Sequence, residues 1–106
     1  MTEDPKPFLR KLFDLAVDAA QPSLRVPGFL PTPPKGRTIV AGAGKAGAAM
    51  VQAVEANWDG PLEGLVITRY GHGLPTNQVE VVEASHPVPD AAGFEAARRV
   101  GALVQG

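Results

Sequence analysis

A lysine stands in a glycine-rich segment that joins a short β-branched run to an alanine-rich stretch of helical spacing. The segment reads Gly42-Ala43-Gly44-Lys45-Ala46-Gly47. Glycines let a backbone approach a ligand closely, and a helix start offers unpaired N–H groups at the positive end of its dipole. Such a corner suits a phosphate or carboxylate, and Lys45 could stabilise charge on a transferring phosphoryl group. The alternative is a solvent-facing lysine beside a tight turn.

The segment matches standard nucleotide-binding patterns only in part. Its glycines have the spacing G-x-G-x-x-G of dinucleotide sites, which expect an acidic residue at the end of the second strand to hold a ribose hydroxyl. Arg69 stands in that region instead and would fit a 2′-phosphate. The Walker pattern fails because Ile39 replaces its first glycine and Ala46 replaces the Ser or Thr that holds magnesium. The segment therefore indicates an anion site without a standard nucleotide loop.

Two further segments carry polar side chains, Arg69–Gly73 and Ser85–Asp90. Arg69 suits bidentate binding of a carboxylate or phosphate, or a surface ion pair. His72 could donate a hydrogen bond or transfer a proton, or be structural. His86 precedes a proline, which restricts it to an extended conformation and could aim its ring or lock a turn. The two histidines lack an accompanying carboxylate cluster, so no metal site is predicted.

The elements that must position these segments alternate between helix and strand. Helical spacing predicts a helix over 5–20, with Asp4 as its N-cap. We expect this helix to pack on a sheet. The proline-rich connector 21–36 is predicted to be extended, with neither helix nor central strand. Residues 37–106 read as a β-α-β-β-α unit. Its strands are predicted at 37–41, 64–68 and 79–84.

The order of these elements predicts the α/β class with a parallel sheet. Right-handed crossovers would place the carboxyl ends of the strands, and with them all three polar segments, at one edge, where open α/β sheets bind ligands. Inward-facing residues are expected at helical spacing in the two helices of the unit, with Asp90 as the N-cap of the second. They are Gly47, Met50, Val51, Val54 and Trp58 in the first, and Phe94, Ala97, Val100 and Val104 in the second.

Composition narrows the class of protein. The chain has 106 residues, of which 44% are hydrophobic and 20% charged, with a net charge of −1 and no cysteine. These values favour one ordinary globular domain and argue against nucleic acid as a partner, disulfides and thiol chemistry. No apolar run approaches the roughly 18 residues of a membrane span, and no signal peptide is evident, so a cytoplasmic protein is expected. Only three strands are supplied, which suggests an incomplete domain, the N-terminal portion of a longer enzyme.

Three segments, in this order and spacing, resemble bacterial glycerate 2-kinases that have a C-terminal MOFRL domain. The segments are Ile39–Ala46, Gly64–His72 and His86–Asp90. Many members of that family carry the name hydroxypyruvate reductase. The resemblance implies a Rossmann-like first domain, a second domain across a cleft, and ATP- and Mg²⁺-dependent phosphorylation of D-glycerate to 2-phosphoglycerate. It also implies that Lys45 is the catalytic residue.

The resemblance further implies which residues bind substrate or phosphate: Gly42, Ala43, Gly44, Ala46, Gly47, Arg69, Tyr70, Gly71, His72 and His86. The chain departs from the family in having Ser85 where glycine usually precedes the His-Pro motif. It also ends before the next glycine- and serine-rich loop of the family. We therefore expect these 106 residues alone to be inactive, without identifiable magnesium ligands, and to need a C-terminal domain or a second copy of the chain.

Two other kinds of enzyme stay open. A hydroxypyruvate reductase would bind NAD(P)H at the same glycine corner, against which count the placement of Lys45 and the missing acidic partner for ribose. A sugar-phosphate-binding isomerase-type domain can have a similar loop, but such domains place a hydroxyl after the lysine, and Ala46 has none. A non-catalytic binding module is the natural description of a fragment.

Overall fold

The computed structural model describes residues 4–105, and its centre is a sheet of three parallel strands. The strands lie in the order β1-β2-β3 and comprise Ile39–Ala43, Glu63–Arg69 and Glu80–Ala84. The helices are α1 (Pro5–Ala19), α2 (Pro22–Arg25), α3 (Gly47–Asn57) and α4 (Ala91–Gln105). The predicted α/β class, with a parallel sheet and flanking helices, is confirmed.

A glycine allows β1 and β2 to lie close together at the start of the sheet. Gly64 pairs with Val40 and has a φ of 153°, a conformation that residues with a side chain rarely adopt. A Cβ at this position would lie 2.0 Å from the carbonyl oxygen of Val40. No larger residue fits here without moving one of the two strands.

The first strand runs further into the glycine-rich segment than predicted. Gly42 and Ala43 pair with Val66 and Ile67 of β2, so they belong to the sheet and not to the loop. Sheet pairing supplies partners for their backbone groups, a tertiary gain that the turn-like composition of the segment does not reveal. The loop itself is therefore only the three residues between β1 and α3.

The apolar core lies where α3 packs on the sheet. Val51 of α3 meets Leu62, Val66 and Val79, each less than 10% exposed. Burying one such side chain stabilises the fold by about 1.5–3 kcal/mol. The predicted inner face of α3 is right at Val51 and wrong at Met50, which is 49% exposed.

The inner face of α4 differs from the predicted one. Phe94 and Val104 are exposed, by 76% and 57%, while Ala96 is buried and Val100 half-buried. The helix therefore packs through small residues, which let its axis approach the sheet more closely than a phenylalanine would. The side chain of Asp90 accepts a hydrogen bond from the backbone N–H of Gly93 (3.0 Å), which confirms its predicted role as the cap.

The first helix begins as predicted but does not pack on the sheet. Asp4 Oδ1 accepts a hydrogen bond from the Lys6 N–H at 3.0 Å, which confirms the cap. None of the residues of α1 is buried, so the expected packing is wrong. The exposed apolar side chains are Phe8, Leu9, Leu12, Phe13, Leu15 and Val17. Among residues 4–105, no helix combines the length and apolar character needed to cross a membrane.

The connector after α1 contains helical turns, although its many prolines predict an extended segment. Pro22 and Pro27 each start a short helix, α2 and a 3₁₀ turn over Pro27–Phe29. A first helical position needs no N–H donor, so proline is tolerated there. The helix α2 contacts α3, so this half of the connector lies against α3. The prediction of an extended connector is wrong for this half.

A carboxylate on α3 holds the segment that leads into β3. Glu55 accepts hydrogen bonds from the backbone N–H groups of Asn77 (2.9 Å), Gln78 (2.6 Å) and Val79 (2.9 Å). Partial burial raises the pKa of Glu55, but the three N–H donors outweigh it, and the pKa lies below its ordinary value. The ionised form of Glu55 is therefore the one that ties α3 to the sheet.

Replacing this carboxylate should lower stability in a pH-dependent way. Glu55→Gln keeps one acceptor oxygen but loses the charge, so we expect the free energy of unfolding near pH 7 to fall by about 1–2 kcal/mol. Because the pKa of Glu55 is lowered by folding, its contribution is present above the ordinary value of 4.5 and lost as the pH falls through the folded value. Denaturant unfolding between pH 3 and pH 7 measures both effects.

Glu95→Gln is the matched control. Glu95 pairs with Arg98 on the exposed side of α4, and such pairs contribute little, so its removal should change stability by less than about 0.5 kcal/mol. Equal losses for the two variants at pH 7 would contradict the role given to Glu55.

Candidate functional site

The turn between β1 and α3 is anchored to the end of β2. Gly44 has a φ of 142°, which favours glycine, and its N–H donates to the carbonyl of Ile67 at 2.9 Å. The N–H of Gly47 donates back to the Gly44 carbonyl at 3.1 Å and closes the turn. The backbone around Lys45 is thereby held against the carboxyl end of β2.

The carbonyl oxygen of Lys45 lies within hydrogen-bonding distance of two polar side chains, those of Thr68 and His72. The hydroxyl of Thr68 donates to it at 3.4 Å, and the ring Nδ1 of His72 also lies 3.4 Å from it. Thr68 is only 2% exposed, whereas His72 is exposed. The backbone of Lys45 is thus hydrogen-bonded to β2, while the residue itself is exposed to solvent.

The start of α3 approaches the sheet through a second glycine. A Cβ at Gly47 would lie 2.7 Å from Cγ1 of Val66, closer than atoms of this kind come in proteins. Val66 is buried and cannot easily turn away. The absence of a side chain at Gly47 therefore sets how near the first turn of α3 comes to β2.

The loop after β2 is shaped by Glu83 of β3. Its carboxylate accepts hydrogen bonds from the N–H groups of Gly71 (3.2 Å) and Gly73 (2.9 Å). The N–H of Tyr70 donates to the carbonyl of Ala84 at 3.2 Å. The loop that carries the predicted site residues Tyr70, Gly71 and His72 is thus fastened to the neighbouring strand.

Asp90 joins this loop to the one after β3. Its carboxylate accepts from the Tyr70 hydroxyl at 2.7 Å and from the N–H groups of Ser85 (3.3 Å) and Gly93 (3.0 Å). The hydrogen bond to Asp90 raises the pKa of Tyr70, and the same bond, with the backbone donors, lowers the pKa of Asp90. Asp90 therefore caps α4 and also aligns two of the three loops.

The three loops enclose a cavity of about 150 Å³ at the carboxyl ends of the strands. Four of its lining residues were predicted site residues and three were not. The predicted ones are Ala43, Gly44, Arg69 and His86, and the others are Ile67, Thr68 and Ser85. The expected meeting of the loops at one edge of the sheet is confirmed.

The remaining predicted site residues lie around this cavity without lining it. Lys45 and His72 are joined through the Lys45 carbonyl, and Tyr70 and Gly71 are held by Asp90 and Glu83. The other three border a larger, mostly apolar cavity of about 370 Å³ along β1 and α3, which shares Ala43 and Gly44 with the first. These three are Gly42, Ala46 and Gly47.

The cationic and acidic side chains near the cavity are not paired with each other in salt bridges among the described residues. Within residues 4–105, the salt bridges involve Arg10, Arg37, Arg98 and Arg99, and none involves Lys45 or Arg69. The nearby carboxylates of Glu83 and Asp90 instead accept hydrogen bonds from the loops. Two cations without an acidic partner in the described chain suit an anionic ligand.

Metal ligands are not assembled in the part of the chain that the structure describes. No group of three or more His, Asp or Glu side chains in residues 4–105 lies close enough to hold an ion. Magnesium prefers oxygen ligands such as carboxylates, and those near the cavity are engaged by backbone N–H groups. The described residues therefore do not fit a magnesium site.

Sequence reasoning did not name Thr68, Glu83 and Ser85 as site residues, although it placed the segment that begins at Ser85 at this edge. Thr68 is the last residue of the predicted second strand, and Glu83 lies in the predicted third strand. The available signal was their position, since polar residues at the carboxyl end of a parallel strand lie beside the ligand-binding edge.

The close approach of α3 to β2 at Gly47 predicts that alanine lowers stability at Gly47 but not at Gly101 of α4. Gly47→Ala must push Val66 or α3 aside, so we expect a loss of about 1–3 kcal/mol in the free energy of unfolding. Gly101→Ala is the control, because a Cβ there meets nothing within 4 Å in α4, and it should stabilise the protein by about 0.5–1 kcal/mol. Thermal and denaturant unfolding measure both changes, and a neutral Gly47→Ala variant would refute the tight contact.

The chain is similar in sequence to proteins named hydroxypyruvate reductase and glycerate 2-kinase. A putative hydroxypyruvate reductase of Agrobacterium vitis is 52% identical over 99 residues, covering 92% of this chain and 23% of that protein. The D-glycerate 2-kinase of Thermotoga maritima is 36% identical over 91 residues, covering 84% of this chain and 22% of that protein. The chain thus spans about a quarter of the length of the curated relatives it matches.

A solved structure shows the same fold. The crystal structure of the glycerate kinase from Thermotoga maritima matches 89% of this chain and 23% of its own length, with a TM-score of 0.70 and 28% identity. The model of the family described as Domain of unknown function (DUF4147) matches residues 8–106. Because this match covers nearly the whole chain, the chain belongs to the DUF4147 family, and it is similar to proteins named D-glycerate 2-kinase and glycerate kinase.

Proposed function

We propose that the protein transfers the γ-phosphoryl group of ATP to the 2-hydroxyl of D-glycerate and forms 2-phosphoglycerate. The observation that carries the proposal is the anchored glycine turn, which sets the backbone of Lys45 beside a cavity lined by Arg69 and His86. The similarity to proteins named D-glycerate 2-kinase and glycerate kinase supports the choice of substrate.

The size and charge of the cavity suit a small acid. Its volume of about 150 Å³ is below the roughly 300–1,000 Å³ typical of pockets for drug-sized ligands, so it would take glycerate or a phosphoryl group and not a whole nucleotide. The guanidinium of Arg69 matches a carboxylate or phosphate in a bidentate manner. The remainder of ATP would then extend out of this cavity.

The proposed reaction needs little covalent chemistry from the protein. The 2-hydroxyl oxygen of glycerate forms a bond to the γ-phosphorus, the bond from that phosphorus to the β-phosphate oxygen breaks, and the hydroxyl proton is released. Catalysis of such a transfer is mainly positioning and charge stabilisation. The ammonium group of Lys45 would stabilise the charge on the transferring phosphoryl oxygens. Because the described residues do not fit a magnesium site, no step is assigned to that ion.

A second candidate is the NAD(P)H-dependent reduction of hydroxypyruvate. It is favoured by the name of the Agrobacterium vitis relative, which is 52% identical over the matched residues. Arg69 ends β2 where dinucleotide sites usually have an acidic residue, so a reductase of this kind would have to prefer the 2′-phosphate of NADPH.

Parallel assays on the full-length protein separate the two activities. One measures ADP formed from ATP and D-glycerate, and the other measures oxidation of NADH or NADPH with hydroxypyruvate. Lys45→Ala should lower kcat for phosphoryl transfer at least about a hundredfold, since it removes a cation from the transition state. Circular dichroism should be unchanged, because the Lys45 residue is exposed.

Lys35→Ala is the control for loss of a positive charge. Lys35 is exposed in the connector that leads to the start of β1, whereas the cavity lies at the carboxyl ends of the strands, so its removal should change kcat less than about twofold. Dominant reductase turnover that survives Lys45→Ala would contradict the kinase proposal.

A further inference from the structure

We propose that Thr68 is a positioning residue for Lys45: its hydroxyl holds the Lys45 carbonyl and so keeps this lysine in the turn, one residue before the N-cap of α3. The kinetic part of this inference rests on the proposed phosphoryl transfer. The geometric part stands on the contact between β2 and the turn.

The burial of Thr68 makes its hydrogen bond consequential. Thr68 lies one residue before the end of β2, opposite Glu83 of β3, and is 2% exposed. A buried hydroxyl without a partner is costly, and within residues 4–105 its bond is made to the Lys45 carbonyl at 3.4 Å. The buried residues of β2 are Leu65, Val66 and Thr68, and the polar one of these lies at the point where the turn arrives.

The same carbonyl is missing from the hydrogen bonds of α3. The N–H of Met50 donates to the Ala46 carbonyl at 3.0 Å, as in a regular helix. In the described chain the N–H of Ala49 makes no corresponding bond to the Lys45 carbonyl, which instead faces Thr68 and His72. The acceptor that would extend the helix by one residue is thus held by β2.

Extending α3 by one residue would redirect the Lys45 side chain. Lys45 would then be the N-cap, and its backbone would have to turn to align the carbonyl with the helix axis, so the lysine would leave its present direction relative to the cavity. Thr68 opposes this because its hydroxyl competes for the carbonyl. The exposed ring of His72 makes a second contact to the same oxygen, which water can replace more easily.

The kinetic test compares substitutions of similar shape on the full-length protein. Thr68→Val removes the hydroxyl, and we expect kcat for phosphoryl transfer to fall about ten- to a hundredfold, while KM for ATP and for D-glycerate changes less than about threefold. Thr68→Ser restores the hydroxyl and should return kcat to within about threefold of the wild-type value.

Thr76→Val is the matched control. The Thr76 hydroxyl donates to the carbonyl of Val79 in the loop before β3, at the opposite end of the strands. Its loss should leave kcat within about twofold. A Thr68→Val variant with wild-type kcat, or a Thr68→Ser variant as impaired as Thr68→Val, would overturn the inference.

A second measurement does not depend on the activity. In Thr68→Val the freed Lys45 carbonyl can accept the Ala49 N–H, so amide exchange at Ala49, followed by NMR, should slow about fivefold. Unchanged exchange at Ala49 would overturn the geometric part of the inference. A wild-type protein without phosphoryl transfer would contradict the proposed function, whereas the exchange at Ala49 would still decide the role of Thr68.

Discussion

The attachment of the glycine turn to the end of β2 is the contact on which the candidate site depends. Two glycines make it geometrically allowed, Gly44 through its positive φ and Gly47 through its missing side chain. Hydrogen bonds to the carbonyl of Ile67 and from the hydroxyl of Thr68 then give the turn one position. Without this attachment the first turn of α3 and the lysine before it would have no defined relation to the loops after β2 and β3.

Three carboxylates stabilise the loops by accepting hydrogen bonds from backbone N–H groups and not by forming salt bridges within residues 4–105. Glu55, Glu83 and Asp90 each accept hydrogen bonds from two or more backbone N–H groups. A charged acceptor makes stronger hydrogen bonds than a neutral one and satisfies loop donors that no sheet or helix serves. Because Glu83 and Asp90 are used in this way, the cations at the same edge stay free of acidic partners in the described chain. The edge therefore suits an anion.

The fold and the local chemistry favour the same edge of the sheet as the candidate site, for separate reasons. A parallel sheet collects the loops after its strands at one edge, because all of its strands point in the same direction. The similarity to glycerate kinases and to proteins named hydroxypyruvate reductase concerns the same residues that build the sheet and its loops. Phosphoryl transfer and hydride transfer make different demands on that edge. Lys45, which has no salt-bridge partner among residues 4–105, suits the proposed phosphoryl transfer, and Arg69 would limit a reductase to NADPH.

The sequence by itself determined the features that depend on neighbours in the chain. The parallel strands, the caps at Asp4 and Asp90 and the gathering of three loops follow from periodicity, capping residues and chirality, and the structure confirms them. The tertiary structure alone decided which side of α4 faces the sheet and that α1 lies away from it. It also decided that Thr68 and His72 meet the Lys45 carbonyl, across 23 and 27 positions of the chain. Such contacts depend on how closely the elements pack, and local residue patterns do not encode that distance.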